Sequence, residues 1–297
     1  MLRLSMALIL LLLPLTGCLS RSGPAMPPLL EKRARSQEKG EELSRSCKVR
    51  QALLETQQTL YFAQLRDDRP AMATALQSLA NHHMTLGEYA VAEERFLQAE
   101  RRFQRLGDEE AGFQVALGKA ILQVVRGRFP EGRAELEALL NRHPRSEAEK
   151  EARWRLPLYQ GLAMASRGEG FPERALEHLA RAETLALQSG SRQELASIRM
   201  NRARIFLDQR QWSAARDAAE QAMVLDRESE NILGIASDLI VLAAISEQEG
   251  LLDEAREQFQ QAGDLFEHCG VTGESEASRA RADRLAERSG KPFQPGR

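Results

Sequence analysis

Two hydrophobic patterns divide the chain. Met1–Leu15 is a short apolar run with one early cation, Arg3, and an aliphatic stretch from Leu8 to Leu13. Beyond Pro28 no strand-like alternation of apolar and polar residues stands out. Large apolar and small residues instead recur at helical spacing, in a background of Ala, Leu, Glu, Gln and Arg, all good helix formers. The pattern predicts an all-α protein.

That pattern repeats. After a turn comes a large apolar residue, then small or apolar residues at set steps. The five copies read Gly87, Tyr89, Ala92, Phe96, Ala99; Gly127, Phe129, Gly132, Leu136, Leu139; Gly168 with a two-residue insertion, then Ala175, Leu179, Ala182; Arg210, Trp212, Ala215, Ala219, Ala222; and Gly250, Leu252, Ala255, Phe259, Ala262. Seven residues before each turn stands a small residue: Ala80, Ala120, Gly161, Ala203 and Ala243. The turn positions differ by 40, 41, 42 and 40. Such a pattern predicts stacked helical hairpins, A then B, in which the turn glycine tolerates positive φ and the small residues let the helices approach closely.

The same phase reaches Cys47, followed by Val49, Ala52, Thr56 and Thr59. Two readings stay open there. Either residues 31–66 include a degenerate first hairpin, or Glu41–Arg66 is one helix burying Leu43, Cys47, Leu54, Tyr61 and Leu65. At the other end Ser275–Arg288 has almost no apolar stripe, as a terminal capping helix would.

The repeat resembles the tetratricopeptide (TPR) repeat family. The resemblance implies a right-handed α-solenoid of about five to six hairpins plus a C-terminal capping helix, spanning 31–290, with a short tail at 291–297. It departs from the family in its longer step, in Gln123 where an aromatic is usual, in Arg210 at a turn, and in having only Pro144 at a closing-proline site. In that family the concave groove lined by the A helices binds peptides. Carried over, the groove positions are Gln77, Asn81 and Met84; Met200, Arg204 and Asp208; and Ile240, Ala244 and Glu247. Asn81 matches an asparagine that the family uses to hold a peptide backbone, whereas Gln77 replaces the basic residue of the carboxylate-clamp type.

The N-terminal run is too short for a comfortable membrane span and has the length of a signal-peptide core. It ends in Leu15-Thr16-Gly17-Cys18, which resembles the lipobox of bacterial lipoproteins. The resemblance implies a signal peptide at 1–17 and a lipid on Cys18, the only covalent group expected. With Leu19 and Ser20 following rather than Asp, it also implies an outer-membrane address facing the periplasm. Ser20–Pro28 carries Gly and three prolines and reads as part of a flexible tether over 18–30.

Composition narrows the function. The 297 residues carry a formal net charge of −2, which argues against a nucleic-acid binder. Three cysteines do not make a disulfide scaffold. Cys47 and Cys269 fall at opposite ends of the stack, so a bond between them is not expected unless the solenoid curls strongly. The adjacent pair His82-His83 points in different directions on a helix and cannot share a metal as i, i+4 ligands can. His83 falls at a core position. Gly168-Glu169-Gly170 lacks the strand and third glycine of a nucleotide loop. Arg199, Arg202 and Arg204 form a cationic side on one A helix.

These readings predict no catalytic, metal or cofactor site and no small-molecule substrate. They predict a non-enzymatic scaffold, anchored in the membrane by its lipid, that holds a protein or peptide partner during assembly of an outer-membrane or cell-envelope complex. The alternatives are an accessory subunit or regulator of a cell-wall enzyme, with Asp208 and Glu247 as the only candidate acid/base pair, and a spacer that self-associates through Cys47 or Cys269.

Overall fold

A computed structural model describes residues 27–142 and 148–289. The expected signal peptide, Cys18, most of the tether, Pro144 and the tail from 290 lie outside the described residues. Among the described residues thirteen α-helices follow one another. They are α1 Pro28–Arg45, α2 Val49–Leu65, α3 Arg69–Thr85, α4 Tyr89–Leu106, α5 Glu109–Val125, α6 Phe129–Arg142, α7 Ala148–Gly168, α8 Pro172–Ser189, α9 Arg192–Asp208, α10 Trp212–Glu228, α11 Ile232–Gln248, α12 Leu252–His268 and α13 Thr272–Ser289. Each packs chiefly on its sequence neighbours, as six A–B hairpins (α1/α2 to α11/α12) with α13 as the cap. The fold is the expected all-α, TPR-like solenoid. The helical part begins slightly early, because Pro28 occupies the first turn of α1, where a missing N–H costs nothing.

The repeated positions are where the hairpins close. Ala92, Ala175, Ala215 and Ala255 are all fully buried, as are Phe96, Leu136, Leu179, Ala219 and Phe259 one turn later. Gly132 takes the alanine place in α6. A Cβ there would stand 2.6 Å from Val124 Cγ2 and 3.0 Å from the Ala120 carbonyl, so α5 and α6 touch backbone to backbone.

The turn residues adopt the left-handed region: Cys47, Gly87, Gly127, Gly170, Arg210 and Gly250 all have φ between 59° and 82°. The fourth turn is therefore Gly170 and not Gly168, which ends α7. The step between turns is 40 throughout except for 43 between Gly127 and Gly170, so the extra residues lie before the turn and not after it. Gly168 serves packing instead. A Cβ on it would lie 2.3 Å from the ring of Phe129, the apolar residue that follows the preceding turn.

The first hairpin is real. Cys47 turns the chain, and Ala52, Thr56 and Thr59 are buried. Leu54, Tyr61 and Leu65 are 58%, 56% and 52% exposed, which excludes the single-helix stripe that would bury them.

The expectation against a Cys47–Cys269 bond is overturned. The two form a disulfide with Cα atoms 4.8 Å apart across 222 residues of sequence. The solenoid curls until its first turn meets its last. The Val49 N–H donates to the Cys269 carbonyl at 3.3 Å, and Arg50 donates to the Gly270 carbonyl at 3.0 Å and to Thr272 Oγ1 at 3.1 Å. Cys47, Val49 and Leu86 join one apolar cluster with Phe266, Cys269 and Val271. Helix spacing alone describes a straight stack, whereas a small rotation at each hairpin, accumulated over six of them, removes that separation.

Candidate functional site: a polar cavity on the A-helix face

Successive A helices α3, α5, α7, α9 and α11 contact one another directly, whereas the B helices make no comparable contacts among themselves. The A helices therefore form the tight, inner side of the curl. Cavities lined by described residues open there. One, of about 740 Å³, lies among α1, α2 and α3 and includes Asn81, Thr56 and His82. Burial, reinforced by neighbouring His83, holds the His82 imidazole below its ordinary pKa, and its Nε2 lies 3.3 Å from Thr56 Oγ1. The second, of about 460 Å³, lies among α7, α9, α10 and α11.

The second cavity concentrates the unusual electrostatics. Met164 and Leu233 supply apolar wall. Asn201 and Met200 come from the buried side of α9, with Arg204 one turn beyond Met200. Asp226 enters from the last turn of α10. Its Oδ1 accepts from Asn231 Nδ2 at 2.8 Å, while Asn231 Oδ1 caps α11 by accepting from the Gly234 N–H at 3.2 Å. One turn along α11 from Gly234 stands Asp238, with none of its surface exposed. Burial, followed by the Asp226 charge, pushes the Asp238 carboxyl up to about 8. Burial also raises Asp226, and it raises Glu194, whose carboxylate accepts from Gln160 at 3.0 Å.

The three arginines of α9 have different roles. Arg199 and Arg202 both reach Glu183, at 2.5 and 2.7 Å, and tie α9 to α8. Arg204 forms no ion pair with any described residue, although it lines the cavity with Asp238. Burial, with Arg167 nearby, weakens its hold on its proton, while Asp238 and Asp208 strengthen it.

Of the nine groove positions expected from the sequence, Met200 and Arg204 line this cavity and Asn81 lines the other. Gln77 lines neither, and Met84 packs against the core of α3 and α4. Asp208 is held by Arg167 at 2.6 Å. Glu247 is held by Arg281 and Arg288 at 2.9 and 2.7 Å, so each member of the candidate acid/base pair answers to different arginines. Ile240 packs against two core clusters, and Ala244 is half-buried beside it on α11. His83 is buried, as expected, with Nδ1 2.5 Å from Glu88. No group of His, Cys, Asp and Glu among the described residues could hold a metal ion, and no described helix is long and apolar enough to cross a membrane.

Sequence reasoning passed over Asp226, Gly234 and Asp238. A signal existed, because Asp238 interrupts the most apolar of the described helices, Ile232–Gln248, and a buried charge in such a run is the informative exception.

No protein-family model matches the chain, and no curated protein matches it in sequence. Solved structures match its fold. A Rap protein complexed with Competence and Sporulation Factor aligns over 89% of this chain and 77% of its own, at 12% identity and a TM-score of 0.63. The Rap conjugation gene regulator of plasmid pLS20, in complex with the Phr* peptide, aligns over 88% and 75%, at 15% identity and a TM-score of 0.61. A thermophilic TPR protein of Thermus thermophilus aligns over 72% and 99%, at 20% identity and a TM-score of 0.53. This chain is a TPR-like helical-repeat protein that shares its solenoid fold with Rap and TPR proteins.

Proposed function

We propose that this protein is a non-enzymatic adaptor, held at the outer membrane by a lipid on Cys18, whose curled A-helix face binds a peptide segment of an envelope protein. The observation that carries this reading is Arg204. It stands in a cavity on the inner face without an ion-pair partner among the described residues, while its neighbours Arg167, Arg199 and Arg202 are all paired. A half-buried guanidinium that no described carboxylate reaches at ion-pair distance is a donor set awaiting a peptide carbonyl or carboxylate. The Phr* complex of a similar fold supports a peptide as the ligand class. The lipobox-like Leu15–Cys18 supports the anchor, and the Cys47–Cys269 disulfide supports an oxidising compartment. A triacylated terminus would hold firmly, at about 0.8 kcal/mol per buried CH₂.

The test is a crosslinked pull-down from detergent-solubilised envelopes with wild type, Cys18→Ala and Arg204→Glu. One envelope protein should be enriched by wild type and lost with Cys18→Ala. Its recovery with Arg204→Glu should fall about tenfold at equal expression, as expected for removing a charge-assisted hydrogen bond worth about 1.5–3 kcal/mol. Identical profiles from all three would refute the adaptor.

A further inference from the structure

The cavity that Arg204 lines also holds an unmet demand of the other sign. Asp238 is completely buried and lines the cavity, yet neither of its carboxyl oxygens receives a hydrogen bond from an N–H or O–H of the protein. The charge of a second buried carboxyl, Asp226, itself 3% exposed, acts on it. Gly234 makes the approach possible, because a Cβ at that position would stand 2.1 Å from Asp226 Oδ2. Gly234 and Asp238 are one turn apart on α11, so the bare backbone of one admits the carboxyl that meets the other. Asn231 satisfies Asp226 Oδ1. Asp226 Oδ2 and both oxygens of Asp238 are left to each other and to whatever enters the cavity. Burying two carboxyls together, one of them without a donor, is costly, and a partner that enters the cavity and donates to both would offset that cost.

The surrounding charges indicate which partner. Arg204 on α9 and Arg227 on α10 are the cations whose charges act on Asp238. Glu194 lies on the same cavity wall as Arg204, while Asp208 and Arg167, near Arg204, neutralise one another. The cavity itself therefore contributes three carboxyls, Glu194, Asp226 and Asp238, against one lining cation, Arg204. We propose that the Asp226–Asp238 pair anchors a cationic side chain, lysine or arginine, of the peptide bound in the groove.

This inference rests on the peptide-binding reading and gives the ligand its polarity. Arg204 takes a carbonyl or carboxylate of the peptide, and the carboxyl pair takes an ammonium or guanidinium. In the unliganded protein burial and the Asp226 charge favour the protonated form of the Asp238 carboxyl. An entering cation donates its own N–H groups to both carboxylates, and the proton held by Asp238 leaves to solvent.

The probes are four capped pentapeptides, identical except for Arg, Lys, Gln or Glu at the centre. Each is titrated into the 15N-labelled lipid-free chain and followed by amide shifts and by calorimetry in two buffers of different ionisation enthalpy. The Arg or Lys peptide should bind at least about tenfold more tightly than the Gln and Glu peptides and perturb the amides of residues 231–238. Between pH 6 and 7.5 it should release up to about one proton per peptide bound. Asp238→Asn keeps the side-chain shape and should erase both the preference and the proton release, and Asp226→Asn should weaken the same peptides. An amide spectrum of each variant confirms that it is folded. Equal binding of the Gln peptide, tighter binding of the Glu peptide, no binding of any of the four, or a cation preference that survives Asp238→Asn would each overturn the anchor. Binding of the Glu peptide at the same amides would leave the groove standing and reverse its polarity. Failure of all four peptides together with unchanged pull-down profiles would remove the peptide groove as well.

Discussion

Asp238 carries a stability signature that can be read without any ligand. Its carboxyl holds its proton up to about 8 in the folded chain, against an ordinary value of 3.8. Between these pH values the unfolded chain has lost that proton and the folded chain has kept it. Unfolding then releases a proton, and this residue's contribution falls as pH rises from about 4 to about 8, by at most about 1.4 kcal/mol per pH unit. Urea melts at pH 5 and pH 8 should show wild type losing stability relative to Asp238→Asn, which cannot ionise. Parallel changes in the two proteins would mean that Asp238 is ionised in the fold. The residue was legible only as an oddity in an apolar helix. Its pairing with Asp226 was not, because that depends on how α10 seats against α11, and no spacing within one helix encodes it.

At the scale of elements the sequence was most readable, since hairpin packing is written in residue size. The alanines and glycines at the close A–B contacts are buried where the repeat phase puts them, and Gly132 shows why. Gly132→Ala should cost about 1–3 kcal/mol, because the added methyl meets a backbone carbonyl that cannot move aside. Arg210 tests the turns from the other direction. It holds φ at 59° where Gly87, Gly127, Gly170 and Gly250 sit at no steric cost. Arg210→Gly should therefore stabilise the chain by about 0.5–1 kcal/mol after the extra entropy of glycine in the unfolded state is counted. A loss of stability would show that the Arg210 side chain makes a contact worth more than the strain. The fourth turn was misplaced by two residues because Gly168 and Gly170 both suit a turn by composition. Only the Phe129 ring against Gly168 separates their tasks.

The whole molecule is where the linear reading failed and the structure adds most. Curvature is a sum of small rotations, each set by side-chain volumes between neighbouring A helices, so it leaves no motif. Its outcome is a chain whose first and last turns are bonded covalently through Cys47 and Cys269. This places both cysteines within the fold and gives the self-associating spacer no free thiol at either position. Replacing both by serine should lower stability by about 2–4 kcal/mol, the usual range for a structural disulfide. A thermal melt checks this, and an unchanged melting temperature would mean that the hydrogen bonds of Val49 and Arg50 close the ring unaided. Closure also matters for function, because it holds the A-helix face in one curvature and so preorganises both cavities.

The most direct test of the peptide groove is site-specific photocrosslinking in intact envelopes. A benzophenone side chain is placed at Gln193, exposed on the rim of the α9–α11 cavity, and in parallel at Leu187, exposed on B helix α8. A discrete adduct from position 193 and none of that mass from position 187 is the predicted result, and Arg204→Glu in the same chain should remove it. The same adduct from both positions, or an adduct at 193 that survives Arg204→Glu, would contradict a partner seated in the cavity.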